Sequence, residues 1–307
     1  MKNWIYIFLF CPFLGFTQDI HFSQWYNNPL FLNPANAGQF DGDYRVTAHQ
    51  REQWASVSVP FNSTSVAFDM PFKSWGFGTQ LLRDQSGSSN LSLTQLSFSV
   101  ARFVDSWSFG LQFGVAQQRI DYSDLYFLDP GEQIPSLSKS YMDIGLGISN
   151  TLNISESELK TGYSLAHFNT PNRSFYSTKD ALPAKHQLTA NLKKPLSLQW
   201  ELEPFIYYAL QGKQAQCIIG SNVSFDISEY YYKDIKLEAG SFYRLGDATG
   251  LMLGVNWQNS HLAFSYDWNV SDLVPASNYL GAWELSFRHI IKSSMPRPAF
   301  KTCPTFL

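Results

Sequence analysis

The period of the hydrophobic pattern constrains this chain most. Phe109, Leu111, Phe113 and Val115 alternate with Gly110, Gln112, Gly114 and Ala116. Leu262, Phe264, Tyr266 and Trp268 alternate with Ala263, Ser265 and Asp267, and the same rhythm runs through Trp75, Phe77, Thr79 and Leu81. A period of two is a strand signal, because successive side chains leave opposite faces of a sheet. One face is apolar and rich in rings, and the other is small or uncharged polar. The pattern predicts fourteen strands, at residues 43–51, 62–70, 75–83, 92–103, 107–117, 141–150, 159–168, 185–193, 201–211, 214–225, 232–243, 249–257, 260–269 and 279–290.

Composition decides which face meets which solvent. Charged residues make up 15% of the chain, against roughly 25% in an ordinary soluble domain, while aromatics reach 16%. Mean hydropathy is nevertheless −0.19, because Ser, Asn and Gln are plentiful. A soluble sandwich or propeller would put charge on its outward faces. An apolar outside and a polar inside suit a barrel in a membrane. The expected fold is therefore all-β: a transmembrane barrel of the bacterial outer membrane with 14 antiparallel strands and a non-regular N-terminal segment. With both chain ends in the periplasm, the short connections, such as Pro71–Ser74 and Val104–Ser106, fall inside. The longer ones, 84–91, 118–140, 169–184 and 270–278, fall outside, as the barrel rule requires. Gly212-Lys213 is a short external exception.

Residues 1–17 read as a signal peptide, with Lys2 at its start and an apolar run from Trp4 to Phe16. Residues 18–42 contain two Asn-Pro pairs and several aromatics. The prolines disfavour a long helix or a central strand, and the aromatics disfavour a free tether. This stretch is expected to pack as a cap or partial plug against the lumen or the periplasmic rim. Residues 43–290 form the barrel, and 291–307 a periplasmic C-terminal tail.

Chemical motifs are sparse. The six histidines form no H-E-x-x-H and the cysteines no C-x-x-C, and there is no G-x-S-x-G elbow. No catalytic residue, cofactor or metal is expected, and a net charge of −3 without a basic cluster leaves no nucleic-acid footprint. His261, Ser265 and Asp267 share a face, but strand spacing holds His261 and Ser265 roughly 13 Å apart, too far for a relay. Charges on the polar phase carry more information. Arg45, Asp267, Glu284 and Arg288 lie in the first and the last two strands, where the barrel closes. Facing the lumen is far cheaper for them than facing lipid. They are candidates for pinning a plug or the closure seam, or they line a wet channel.

The opening segment is more specific than any strand. Phe22-Ser23-Gln24-Trp25-Tyr26, Asn28-Pro29-Leu30 and Asn33-Pro34-Ala35-Asn36-Ala37-Gly38 resemble the start of the PorP/SprF family. These are outer-membrane proteins of the type IX secretion and gliding machinery of Bacteroidota. Arg45, Arg51, Gln53-Trp54, Ser65 and Phe68-Asp69 resemble the family's first hairpin. Ser265-Tyr266-Asp267, Gly281, Glu284-Leu285-Ser286 and Cys303-Pro304 resemble its end. Trp283 departs from the pattern, on an outward phase where Trp is acceptable.

The resemblance implies a barrel that binds the C-terminal sorting domain of a secreted, adhesin-like protein and anchors or carries it at the cell surface. Periplasmic or lipoprotein components of the machinery are further implied partners, beside outer-membrane lipid. The other readings are a structural subunit of the secretion apparatus and a passive diffusion porin. Tyr122, Tyr126, Phe127, Phe175 and Tyr176 in the external loops are the candidate contact residues. An aromatic girdle at the membrane rim would account for them equally well.

Overall fold

The computed structural model describes residues 19–54, 59–86, 91–122, 136–176, 178–228, 234–271 and 274–293. The expected signal peptide, Tyr126, Phe127 and Cys303 lie outside these residues. Fourteen strands close one barrel. They are β1 Tyr44–Gln53, β2 Phe61–Phe72, β3 Trp75–Ser86, β4 Leu91–Val104, β5 Trp107–Ile120, β6 Leu137–Ile154 and β7 Ser157–Ala166. The second half comprises β8 Lys185–Pro195, β9 Trp200–Gln211, β10 Gln214–Asp226, β11 Ile235–Arg244, β12 Ala248–Trp257, β13 Ser260–Asn269 and β14 Leu280–Ile291. Each strand pairs antiparallel with its sequence neighbours. β1 pairs with β14 from Tyr44↔Ile291 to Gln53↔Ala282, which leaves no sheet edge at the seam.

The two strand faces invert the usual burial rule. Val66, Phe68, Phe98, Leu111, Phe113, Leu251 and Leu253 are exposed, whereas Arg45, His49, Arg51, Asp69, Asp267 and Glu284 are buried. The apolar phase meets lipid and the polar phase meets the lumen, as in an outer-membrane barrel. The barrel and its strand count agree with the alternation, but some strand ends do not. β3 runs on to Ser86 and β6 spans Leu137–Ile154 where the pattern predicts 75–83 and 141–150, while β11 begins at Ile235 rather than 232. The reason is visible on the outward phase. Val115 gives way to Gln117 and Arg119, opposite Met142, Ser140 and Ser138. The hydrogen-bonded ladder continues above the apolar belt, where hydropathy no longer alternates.

Residues 71–76, 104–107 and 154–157 turn tightly at one end of the barrel, with Lys73, Asp105 and Ser155 at positive φ. A positive φ at the first turn position matches the twist of a two-residue hairpin. The long connections 121–136 and 167–184 lie at the other end, which is therefore the outer one.

Candidate functional site: the filled lumen and its outer vestibule

Residues 19–43 run through the lumen. Asp19 meets Gln211 at the outer end of β9, and Asp43 donates its backbone N–H to the Ile291 carbonyl at the periplasmic end. Between them lie three single helical turns, Trp25–Asn27, Pro29–Leu32 and Pro34–Asn36. The two prolines sit at the start of their turns, where a missing N–H costs nothing. Asn33 caps the last turn by accepting from the Ala35 N–H at 2.9 Å.

One wall of the barrel is shaved to receive this segment. A Cβ added to Gly76 would lie 1.9 Å from the Ala37 carbonyl oxygen, and one on Gly110 2.1 Å from the Ala35 nitrogen. One on Gly147 would lie 1.9 Å from the Asn33 Oδ1. The lumen-facing glycines of β3, β5 and β6 thus let the Asn-Pro-Ala-x-Ala-Gly run touch the sheet backbone, and Ala35 and Ala37 are fully buried there. Gly38 adopts φ +69° against Gly76, a conformation that favours glycine. Ser108 and Ser164 donate to the Ala35 and Leu32 carbonyls at 2.8 and 2.7 Å, and the Asn33 amide donates to the Ile148 and Tyr163 carbonyls. The segment's orphan backbone acceptors are satisfied by the wall, as burial demands.

The opposite wall is aromatic. Trp25 stacks on Tyr207 at 5.6 Å, meets Phe205 edge-on at 5.7 Å, and packs with Ile218 and Phe242. Tyr26 rests on Phe205 at 5.1 Å.

A buried polar knot fixes the upper half of the segment to the closure seam. Glu284 accepts the Ser23 and Gln24 backbone N–H groups at 2.5 and 2.9 Å, binds the Arg51 guanidinium, and lies 3.2 Å from His49. Asp267 accepts from the Ser23 hydroxyl at 2.8 Å and pairs with Arg51 and Arg244 at 3.3 and 2.8 Å. Gln24 donates to Ser265 and accepts from Ser286. Two guanidinium groups thus face two carboxylates, so each buried charge has a partner of opposite sign. Lower down, Arg45 forks onto Asp69 at 2.6 and 2.9 Å and donates to the Asn36 carbonyl, while Asp69 accepts the Gly38 N–H at 2.7 Å.

At the outer end His167 bridges two carboxylates, Asp19 at 2.6 Å and Asp143 at 2.8 Å. Burial opposes a charge on His167, but the two aspartates outweigh it and push the imidazole up to about 10. Burial likewise opposes charge on Asp19, yet His167, Lys185 and Gln211 hold its carboxyl well below the usual range. Above these groups a cavity of about 1580 Å³ opens outward, floored by Asp19, His21, Phe31 and Arg51 and walled by Trp54, Tyr141 and Tyr176.

Arg45, Asp267 and Glu284 all touch the N-terminal segment, whereas Arg288 lies in the lumen between Thr47 and His261 and its side chain makes no hydrogen bond among the described residues. His261 pairs with Glu238 at 2.9 Å, so it forms no relay with Ser265. Phe175 and Tyr176 border the vestibule, with Tyr176 70% exposed, and Tyr122 is half-buried outside it. Sequence reading passed over Arg244, Asp143 and His167: Arg244 falls just past its expected strand, and the other two fall inside the expected strands 141–150 and 159–168, where no local pattern sets them apart. His49 carried a usable signal, since it shares the polar phase of β1 with Arg45 and Arg51. Among the described residues no three His, Cys, Asp or Glu side chains are grouped to hold a metal ion.

The barrel is similar to solved structures of hydrocarbon transporters. The toluene transporter TbuX of Ralstonia pickettii superposes with a TM-score of 0.54 at 12% identity, covering 86% of this chain and 94% of that one. The CymD monoaromatic hydrocarbon channel gives 0.53 at 9%, covering 88% and 94%. The toluene transporter TodX of P. putida gives 0.53 at 10%, covering 87% and 94%. These identities carry the fold alone. No curated protein sequence matches the chain. The family model described as type IX secretion system membrane protein PorP/SprF matches residues 14–289. With that match on an outer-membrane barrel, the chain belongs to the PorP/SprF family.

Proposed function

We propose that this chain serves the type IX secretion system as a plugged outer-membrane barrel, a subunit that offers its outer vestibule to a secreted protein and does not conduct solutes through its lumen. The observation that supports this reading is the path of residues 19–43, docked on glycines on one wall and on aromatics on the other. Such a lumen suits a scaffold better than a diffusion pore. The barrels of similar fold named above are a monoaromatic hydrocarbon channel and toluene transporters, and an equivalent role here would need a route past Trp25 and Leu32. Planar-bilayer recordings test the point. The full protein is expected to be silent, and steady conductance from it would overturn the reading.

Surface anchoring through the partner's C-terminal sorting domain is the finer form of this proposal. The outward cavity favours it, because it offers Tyr176 and Phe175 beside buried charge. Deleting the gene separates the two forms. Loss of all type IX export marks an apparatus subunit, and stranding of one substrate marks a dedicated carrier. Co-purification with a secreted protein that persists after its sorting domain is removed would sink the carrier form.

A further inference from the structure

The ladder between β6 and β7 begins at Leu146↔Leu165, yet β6 starts nine positions earlier, at Leu137. Over Leu137–Asp143 the strand pairs with β5 on one side, and among the described residues no strand pairs with it on the other. Just below, Asn169 takes the place of a neighbouring strand. Its side chain accepts the Ile144 N–H at 3.1 Å and donates to the Met142 carbonyl at 2.8 Å. Because N–H and C=O direction alternates along a strand, Ser140 and Ser138 point theirs to the same open side. Both serines are exposed, and they lie above the level where Val115 and Met142 end the apolar belt.

We infer that Ser138–Met142 on β6 is a docking edge for an extended segment of a type IX secreted protein, which adds to the sheet as a further strand. The inference rests on the proposed function, since it takes the partner from there. An added strand supplies the missing donors and acceptors along about 17 Å of edge. Alternate side chains of such a strand enter the vestibule, which Tyr141 borders. Lys139 shares this inner phase and has no ion pair among the described residues. A segment with an acidic residue facing Lys139 and an apolar one in the cavity complements the site.

The test is retention of the secreted partner by the full-length barrel in outer membranes of a type IX-competent host. S140P removes one N–H on the open side and none from the β5 ladder, a place where an edge tolerates proline. S140A keeps the N–H. Wild type and S140A are expected to retain the partner, and S140P to retain at least about fivefold less. S138P repeats the test at a second edge position, with heat-modifiable gel migration reporting that each barrel is folded. A photo-crosslinking residue at position 140 is expected to capture the secreted segment, and the same residue at exposed Arg83 to capture none. If wild type and S140P retain the partner equally, the edge is wrong while the surface role stands. If wild type retains nothing, the surface role fails and the edge with it. Crosslinks to a second copy or within the chain also overturn the inference.

Discussion

Gly110→Ala adds one methyl group where the sheet and the lumen segment meet backbone to backbone. The new Cβ would lie 2.1 Å from the Ala35 nitrogen and 2.6 Å from its Cα. Ordinary contact begins near 3.4 Å, so Ala35 has to retreat by about 1.3 Å, the difference between the two distances. It has little freedom to do so. Its carbonyl accepts from Ser108 at 2.8 Å and its N–H is held by Asn33 at 2.9 Å. Overpacking of this kind costs about 1–3 kcal/mol, equivalent to roughly a 5- to 150-fold shift from docked to undocked segment. Gly114→Ala on the same strand is the control. Its Cβ meets the far end of the Gln95 side chain at 3.0 Å and no backbone atom closer than 3.6 Å. Both changes reduce the unfolded chain's freedom alike, so that effect cancels. Bilayer conductance and limited proteolysis between residues 22 and 38 are the assays. Gly110→Ala should open intermittent conductance and expose the segment, while Gly114→Ala stays silent and protected. Equal behaviour of the two variants would refute the glycine-wall argument.

Glu284→Gln removes the charge that Arg51 and the Ser23 N–H face, and should lower stability by about 3–5 kcal/mol in guanidinium unfolding from bilayers. Trp25→Ala empties the space between Tyr207, Phe205 and Phe242 and should cost about 3–5 kcal/mol, read in the same titration. The outer latch should depend on pH at both ends of the scale. His167 is raised, so its contribution is complete below 6.5 and is lost as pH climbs through about 10. Asp19 is depressed, so its contribution is complete above 3.8 and is lost as pH falls below that. The protection factor for hydrogen exchange at residues 19–21, corrected for the intrinsic pH dependence of exchange, should therefore be highest between those limits, and His167→Phe should abolish the alkaline limb. An unchanged alkaline limb in that variant would show that another group carries it.

The barrel was legible because its signal is local. Alternation in Phe109–Ala116 or Leu262–Trp268 names a strand and its two faces without any distant contact. The Asn-Pro pairs and the aromatics of residues 22–38 likewise announce an ordered, non-regular segment, and the Phe-Ser-Gln-Trp-Tyr run points to the family. The polar phase also marks Arg45, Asp267 and Glu284 as inward charges.

What period two cannot supply is height and azimuth. Ser23 and Glu284 meet across 261 positions of sequence, and Arg51 reaches Asp267 only because β1 closes on β14 beside β13. The glycines of β3, β5 and β6 look like any small lumen residue until the tilt of the strands stacks them under Asn33–Gly38. His167 becomes a bridge between Asp19 and Asp143 only when the lumen segment delivers Asp19 to the outer mouth. The sequence by itself determined the strands, their faces and the membrane. Only closure of the sheet decided which inward groups share a height, and so which of them hold the segment, because a contact between two walls of a barrel has no period along the chain.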